Sequence, residues 1–282
     1  MSLTRTSNDP RTLLGNFFTV LAGALVTISI IPLLAVLSYV LIKGASRLNL
    51  DLLTQLPPPP MVPGGGIANA MVGTLVMVGL ATLISVPIGI AAAVFLAEFS
   101  TPHTASWIRF STNVLNGVPS IILGVFAYAA LVVTTKTFSA YAGAAALSIL
   151  MLPIIIRTTD EALQIVPQEI RWASVGVGAS KYQTVLQVVL PAALPTILTG
   201  TTLAIARASG ETAPLIFTAL FTQFWPNSLS QPTPSLAVLV YNFATVPFKN
   251  QQELAWAASL VLVFLVLTTS VVSRWFLRRK TF

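Results

Sequence analysis

Arg207 and Glu211 carry opposite charges four residues apart inside "LAIARASGETAPLI", one of the most apolar stretches of the chain. Side chains at this spacing lie on one face of a helix, within reach of a salt bridge. A guanidinium can also give a planar, bidentate set of hydrogen bonds to an oxyanion. Because a central arginine costs about 3 to more than 10 kcal/mol in a bilayer, such a residue normally faces a bundle interior or a water-filled pathway.

Two interpretations of this pair stay open. In the first, Arg207 and Glu211 only fix helix packing, since desolvation offsets the attraction in many buried pairs. In the second, they line a translocation path, and Glu211 keeps the attraction of Arg207 for a passing anion shallow. We favour the second interpretation.

A second pair, Arg157 and Glu161, has the same four-residue spacing at the inner end of a predicted span. We interpret it mainly as an anchor at the membrane surface, with a role at a cytoplasmic exit as the alternative. Glu98 ends another span and is interpreted as an interfacial residue. The chain has no cysteine and one histidine, so the sequence predicts no thiolate metal site, disulfide or metal cluster.

The elements that position these residues are membrane helices. Of the 282 residues, 55% are hydrophobic and 8% charged, against about 25% charged in soluble domains. Apolar runs near or above the ~20 residues that cross a bilayer recur along the chain. The sequence therefore predicts an all-α polytopic membrane protein. The net charge of +7 is scattered among loops, so we expect no binding of nucleic acid.

Six segments qualify as spans, after an N-terminal tail of residues 1–12 and within a single transmembrane domain of residues 13–282. Two long outer loops are expected, one containing "PPPP" and "GGG" (43–66) and one after the fifth span (222–253). The predicted spans are Leu13–Ile42, Ile67–Ala97, Asn116–Thr135, Phe138–Ile156, Pro191–Phe221 and Leu254–Leu277.

Lysine and arginine residues predict the orientation. Six spans place both termini on one side, and that side carries most of the basic residues, which makes it cytoplasmic. The opposite side carries Lys43, Arg47, Lys136 and Lys249. The cytoplasmic side carries Arg5, Arg11, Arg109, Arg157, Arg171, Lys181, Arg274, Arg278, Arg279 and Lys280.

The cytoplasmic connection 157–190 predicts a short helix that can transmit motion to two spans. Pro167 suits the first position of a helix, with Glu169 in its first turn. Gly176 and Gly178 then permit a sharp turn. Residues 181–190 return to the membrane as a second helical piece.

This connection resembles the cytoplasmic pattern of permeases of ATP-driven importers: Glu-Ala-Ala, three residues, Gly, nine residues, an aliphatic, one residue and Leu-Pro. Gly178, Val188 and Leu190-Pro191 match it without a gap. Trp172 replaces the leading Glu, and Glu169 lies one turn earlier. The resemblance implies an ATPase contact through Gln168, Glu169, Ile170, Arg171, Trp172, Ala173, Ser174, Gly178 and Lys181.

A closer resemblance is to phosphate-transporter permeases of the PstA type. It is carried by "LAIARASGETAPLIFTAL", "LNGVPSIILG", "LPAALPTILTG" and "QQELAWAASLV", and it extends from about Asn116 to the C-terminus. The resemblance implies a type I ABC importer permease in the bacterial plasma (inner) membrane that forms half of a phosphate path. Arg207 and Glu211 would then lie on that path.

The same resemblance implies partners: a second related permease, a homodimeric cytoplasmic ATPase, an extracytoplasmic phosphate-binding protein and membrane lipid. The chain lacks G-x-x-x-x-G-K-[ST], so we expect no cofactor in it, and ATP and Mg to be bound by the ATPase. It would be a transport subunit and not an enzyme. The alternatives are a permease for sulfate, molybdate or phosphonate, and a scaffolding or enzymatic membrane protein with a structural ion pair.

Overall fold

The protein is helical over most of residues 10–278, the part that this computed structural model describes. Within that range there are no strands, and the predicted all-α fold is confirmed. The α-helices are α1 (Pro10–Ala45), α2 (Leu50–Thr54), α3 (Ala68–Val94), α4 (Pro102–Gly117), α5 (Ser120–Ala127), α6 (Val133–Thr135), α7 (Ala140–Ile165), α8 (Gln168–Gly176), α9 (Lys181–Thr184), α10 (Leu190–Ser209), α11 (Ala213–Thr218), α12 (Leu236–Thr245) and α13 (Lys249–Arg278).

Three π-helical turns join or extend these helices: Phe95–Phe99 after α3, Tyr128–Val132 between α5 and α6, and Val185–Val189 between α9 and α10. A π-turn widens the helix locally and redirects the side chains that follow it. Residues 1–9 of the predicted tail lie outside the described residues, as do the predicted cytoplasmic residues Arg5, Arg279 and Lys280.

Five helical segments are long and apolar enough to cross a membrane, and a bent pair of helices supplies a sixth candidate. Counting that pair as one span gives the six that the sequence predicts. The five segments are Arg11–Ala45, Ala68–Phe99, Ala140–Ile165, Lys181–Ser209 and Lys249–Trp275.

The bent pair consists of α4 and α5–α6, whose axes meet at 99°. Val118 precedes Pro119 and is extended (φ −70°, ψ 129°), the conformation that a following proline favours. The predicted third span began at Asn116, but that residue belongs to α4, and the crossing segment begins at Ser120.

Two other predicted spans have different ends in the structure. The fourth continues as α7 to Ile165, so Arg157 and Glu161 are helical residues. The fifth begins at Lys181 and runs through Pro191, which lies two residues after the π-turn Val185–Val189. It ends at Ser209, before Gly210, and not near Phe221.

Small residues bring the central helices α3, α7 and α10 close together. A Cβ atom added to Gly89 of α3 would lie 2.7 Å from Ile155 Cγ2 of α7. One added to Gly200 of α10 would overlap the side chain of Thr158 on α7. Glycine therefore sets the approach of α7 to both neighbours, as is common between membrane helices.

The predicted outer ends of α3 and α7 are covered by the segment after α11. The buried Asn69 side chain donates hydrogen bonds to the carbonyls of Thr222 and Phe224, each at 3.2 Å. The Leu236 N–H donates to Thr74 Oγ1 at 2.8 Å, at the beginning of α12. This helix lies within the segment that the sequence analysis treats as a loop, whereas the four prolines at 57–60 are non-helical as predicted.

Candidate functional site

The Arg207–Glu211 pair lies at the end of a helix and not within one. Arg207 is in the last turn of α10, and Glu211 follows it in the non-helical link to α11. Gly210 ends the helix, and the fixed φ of Pro214 suits the start of the next one. The prediction that Glu211 lies one turn further along the same helix is therefore wrong, although the two side chains still meet.

The contact between them is long and incomplete. Arg207 Nε lies 3.5 Å from Glu211 Oε1, and within residues 11–275 this is the one ion pair of the guanidinium. The Arg207 side chain is 45% exposed and that of Glu211 15%. Because one edge of the planar group faces Glu211, the remaining N–H donors stay available to a ligand.

Arg207 is presented on a surface that this chain leaves uncovered. Leu203, one turn earlier on the same face of α10, is 61% exposed. The sequence predicts a buried arginine, but in the isolated chain the side chain is half exposed. At membrane depth such a charge has to face another subunit or a water-filled space, because contact with lipid is costly.

A second polar region lies at the predicted inner end of the fold, where α4, α7 and the π-turn after α3 line an open cavity of about 270 Å³. Arg109 binds the buried Asp160 carboxylate through two hydrogen bonds, from Nε at 2.7 Å and from Nη2 at 3.0 Å. Arg157 Nε bonds Glu161 Oε1 at 2.9 Å, and both side chains are more than half exposed. The cavity is lined by Leu96, Arg109, Thr112, Asn113, Ile156, Arg157, Asp160, Glu161 and Gln164.

Sequence patterns do not predict the burial of Asp160 or its pairing with Arg109. Asp160 is one of eight acidic residues in the chain and lies directly before Glu161, which could have drawn attention to it. Its partner, however, is 51 residues earlier in sequence, and only the packing of α4 on α7 brings the two together.

The predicted cytoplasmic helix is α8, and its two predicted glycines end it. Gly178 has φ +92°, the left-handed conformation that glycine adopts without strain. Ser180 then begins α9 with a capping box, in which its side chain accepts from the Gln183 N–H. Of the nine predicted ATPase-contact residues, Arg171 and Ser174 point inward. The others are exposed: Gln168, Glu169, Ile170, Trp172, Ala173, Gly178 and Lys181.

The two inward residues join α8 to its neighbours. Ser174 Oγ lies 2.9 Å from Thr184 Oγ1 of α9. Arg171 Nη2 donates to Glu98 Oε1 at 2.8 Å, and the same side chain also donates to the carbonyls of Leu163 and Val166. Glu98 thus pairs with α8, and its interpretation as a simple interfacial residue is incomplete. Among residues 10–278, no group of three or more His, Asp or Glu side chains could hold a metal ion.

Comparisons with known proteins agree with this architecture. Residues 85–281 match the family of binding-protein-dependent transport system inner membrane components. The phosphate transport system permease protein PstA of Xylella fastidiosa (strain Temecula1) is 45% identical over 240 residues, covering 84% of this chain and 83% of the relative. PstA of Yersinia pestis is 39% identical over 265 residues, covering 93% of this chain and 89% of the relative.

A solved structure shares the fold over nearly the whole chain. It is a bacterial alginate ABC transporter in complex with an alginate pentasaccharide-bound periplasmic protein. The TM-score is 0.68 with 15% identity, and the match covers 95% of this chain and 96% of the other. The predicted ABC importer permease architecture is confirmed. On these matches, the chain belongs to the PstA family of phosphate transport system permeases, within the binding-protein-dependent transport system inner membrane components.

Proposed function

We propose that this chain is one permease subunit of an ATP-driven inorganic phosphate importer and forms half of its translocation path. Arg207 carries the proposal, because its guanidinium lies on an uncovered surface of α10 and is only partly occupied by Glu211. Phosphate has the tetrahedral oxygens that a guanidinium binds in a bidentate manner. The names of the PstA relatives support phosphate over other oxyanions.

Glu211 gives this site a means of release. A path residue has to bind the anion weakly enough to let it leave, as in conduction through other membrane pathways. As phosphate arrives, it replaces Glu211 at the Nε edge of Arg207 or uses the other edge. As it leaves, the carboxylate 3.5 Å away neutralises the guanidinium again. The second permease would cover the surface around Arg207 that this chain leaves exposed.

The inner cavity would serve as the exit toward the cytoplasm. Arg157 and Glu161 are exposed at its edge, and the tighter Arg109–Asp160 pair lies beside them. Paired charges of both signs leave the cavity close to neutral, so phosphate would meet polar donors without being held strongly. In this proposal both termini and α8 are cytoplasmic, and the phosphate-binding protein docks on the outer segments.

Coupling to ATP would occur through α8. Its exposed apolar residues Ile170, Trp172 and Val175 offer a docking surface to the homodimeric ATPase, which binds ATP and Mg. Trp172 occupies the position where related permeases have Glu, so hydrophobic contact replaces a charged one there. ATP-driven closure of the ATPases would move α8 and, with it, the spans that it connects.

The path assignment is tested by labelled phosphate uptake in proteoliposomes that contain the whole complex. Arg207→Gln should lower uptake by about 10- to 100-fold, since a hydrogen bond to a charged group contributes about 1.5–3 kcal/mol. Arg207→Lys should fall between this variant and the wild type. Arg11→Gln is the matched control, because Arg11 is exposed at the beginning of α1 and lies in neither outer loop.

Each outcome bears on a different part of the proposal. Normal uptake by both Arg207 variants would remove this residue from the path. Uptake of sulfate, molybdate or phosphonate in place of phosphate by the wild-type complex would overturn the substrate. Purification of the chain without an ATPase and a second permease would favour a membrane scaffold.

A further inference from the structure

The π-turn at the inner end of α3 places two consecutive side chains, Glu98 and Phe99, against the cytoplasmic segment formed by α8 and α9. Neither residue is adjacent to that segment in sequence, since Glu98 and Arg171 are 73 residues apart. The chain connects α8 only to α7 and, through α9, to α10. The contacts with α3 are therefore additional to those that connectivity imposes.

The first contact is a buried ion pair. Arg171 Nη2 lies 2.8 Å from Glu98 Oε1, with side-chain exposures of 13% and 9%. Of the ion pairs found within the described side chains, this is the one in which both partners are most enclosed. Removing one partner of such a pair leaves an uncompensated charge, which proteins tolerate poorly.

Arg171 also binds the end of α7. Its Nη2 donates to the Leu163 carbonyl at 2.8 Å, and its Nη1 donates to the Val166 carbonyl. Carbonyls at a helix end have no partner within the helix, and an arginine can satisfy them. A single side chain of α8 thus joins the inner ends of α3 and α7.

The second contact is aromatic and involves α9. The Phe99 ring stacks on Tyr182, with centroids 5.0 Å apart and planes 26° from parallel. Lys181 Nζ lies 5.0 Å from the Phe99 centroid, within the range of a cation–π contact. The Ser174–Thr184 hydrogen bond connects α8 with α9, so the two contacts hold one continuous unit.

We propose that Glu98, Phe99, Arg171, Lys181 and Tyr182 form a coupling clamp, which makes α3 move with α8 when the partner ATPases change conformation. The inference rests on the proposed function for the identity of the ATPase-docking helix. It assigns Glu98 and Phe99 as positioning residues that act through α8 and contact neither substrate nor nucleotide. Since α3 packs against α7 at Gly89, the clamp transfers motion of α8 to the centre of the bundle on two helices at once.

The clamp predicts a loss of coupling when Glu98 is neutralised. In proteoliposomes with the whole complex, Glu98→Gln should lower the phosphate taken up per ATP hydrolysed by about fivefold or more, the lower end of usual allosteric coupling factors. Glu98→Asp should recover most of this ratio, because it keeps the charge. Arg11→Gln, which removes an exposed charge at the beginning of α1 and outside both outer loops, should leave the ratio unchanged. A purely structural role for Glu98 would reduce the amount of complex and not this ratio.

A distance measurement tests the clamp without relying on phosphate. Spin labels at Val177, next to α8, and at Ile88 of α3 occupy exposed positions, and the chain has no native cysteine. In otherwise wild-type complex, their distance should stay the same when ATP is bound and after it is hydrolysed. Addition of Glu98→Gln should make the distance depend on nucleotide.

The results separate the two proposals. A nucleotide-dependent distance without the Glu98 change, or an unchanged uptake ratio in Glu98→Gln, would overturn the clamp. A constant distance in a wild-type complex that takes up no phosphate would support the clamp and count against the phosphate assignment. If the Glu98→Gln complex does not assemble, the distance between the labels at Val177 and Ile88 in the otherwise wild-type complex decides the question.

Discussion

Arginine–carboxylate pairs lie at both the predicted outer and the predicted inner end of the helix bundle, and two of them, Arg207–Glu211 and Arg171–Glu98, differ in nearly every respect. Arg207 and Glu211 are close in sequence, 3.5 Å apart and partly exposed. Arg171 and Glu98 are distant in sequence, 2.8 Å apart and enclosed, with two carbonyls completing the arginine's contacts. The first pair leaves donors available to a ligand, whereas the second uses them to hold helices together.

The comparison shows that sequence spacing is a poor guide to the strength of an ion pair. A four-residue spacing brings Arg207 and Glu211 near each other, but the end of α10 prevents close pairing. Glu98 lies on the π-turn after α3, and its contact with the distant Arg171, at 2.8 Å, is shorter than the 3.5 Å contact of Glu211 with the nearby Arg207. We therefore expect substitutions at the two ends to affect different measurements.

The largest effect is expected from reversing the charge of Arg207 in its pair with Glu211. Arg207→Glu should lower phosphate uptake by at least about 100-fold, because a carboxylate removes the donors and repels the anion, and such like-charge contacts cost several kcal/mol. ATP hydrolysis stimulated by the binding protein should persist, since the clamp is intact. Initial rates of both reactions in proteoliposomes check this, with Arg11→Glu as control. Uptake close to the wild-type rate would remove the functional contrast between the pairs.

The next effect concerns stability and extends the comparison to the inner cavity. Asp160 is buried and binds Arg109 through two hydrogen bonds, whereas Glu161 is exposed. Asp160→Asn should lower the free energy of unfolding by about 2 kcal/mol, as expected for a charged hydrogen bond lost in a buried place. Glu161→Gln should cost less than about 0.5 kcal/mol. Thermal unfolding of the detergent-solubilised chain measures both, and equal costs would show that burial is not the deciding factor.

A smaller effect is expected when the counter-charge of the path arginine is removed. Glu211→Gln should increase the labelled phosphate retained by purified complex and slow uptake by about fivefold, which corresponds to the ~1 kcal/mol of a partly exposed pair. The direction distinguishes Glu211 from Glu98, whose neutralisation should not increase retention. Faster uptake together with weaker retention would contradict the release role of Glu211.

The smallest effect is expected at the aromatic part of the clamp. Phe99→Ala should lower the phosphate taken up per ATP by about threefold, because an aromatic pair contributes about 0.5–1.5 kcal/mol. Phe95, on the same π-turn and 49% exposed, is the matched control. If Phe95→Ala and Phe99→Ala reduce the ratio equally, the stacking on Tyr182 has no specific role.

Much of the fold could be predicted from local sequence, and the failures share a cause. Apolar runs predicted the long helices, Gly178 predicted the turn after α8, and four prolines predicted a non-helical segment. The end of α10 at Gly210 and the bend at Pro119 lie inside apolar runs, and the helix continues through Pro191; hydropathy alone reveals none of these boundaries. Local spacing likewise predicted the Arg207–Glu211 contact. It did not predict the partners of Asp160 and Glu98, because those contacts form between helices that are distant in sequence.

The 99° bend between α4 and α5 has a consequence for the surrounding lipid. At about 1.5 Å per residue, the segment Ser120–Thr135 extends only about 24 Å, less than the ~30 Å hydrocarbon core. A short span is matched by local thinning of the bilayer, and the exposed Trp107 and Phe110 of α4 suit the headgroup level beside such a depression. The deformation is confined to this span, because the other five candidate spans have 26 to 35 residues, more than the ~20 that cross a bilayer.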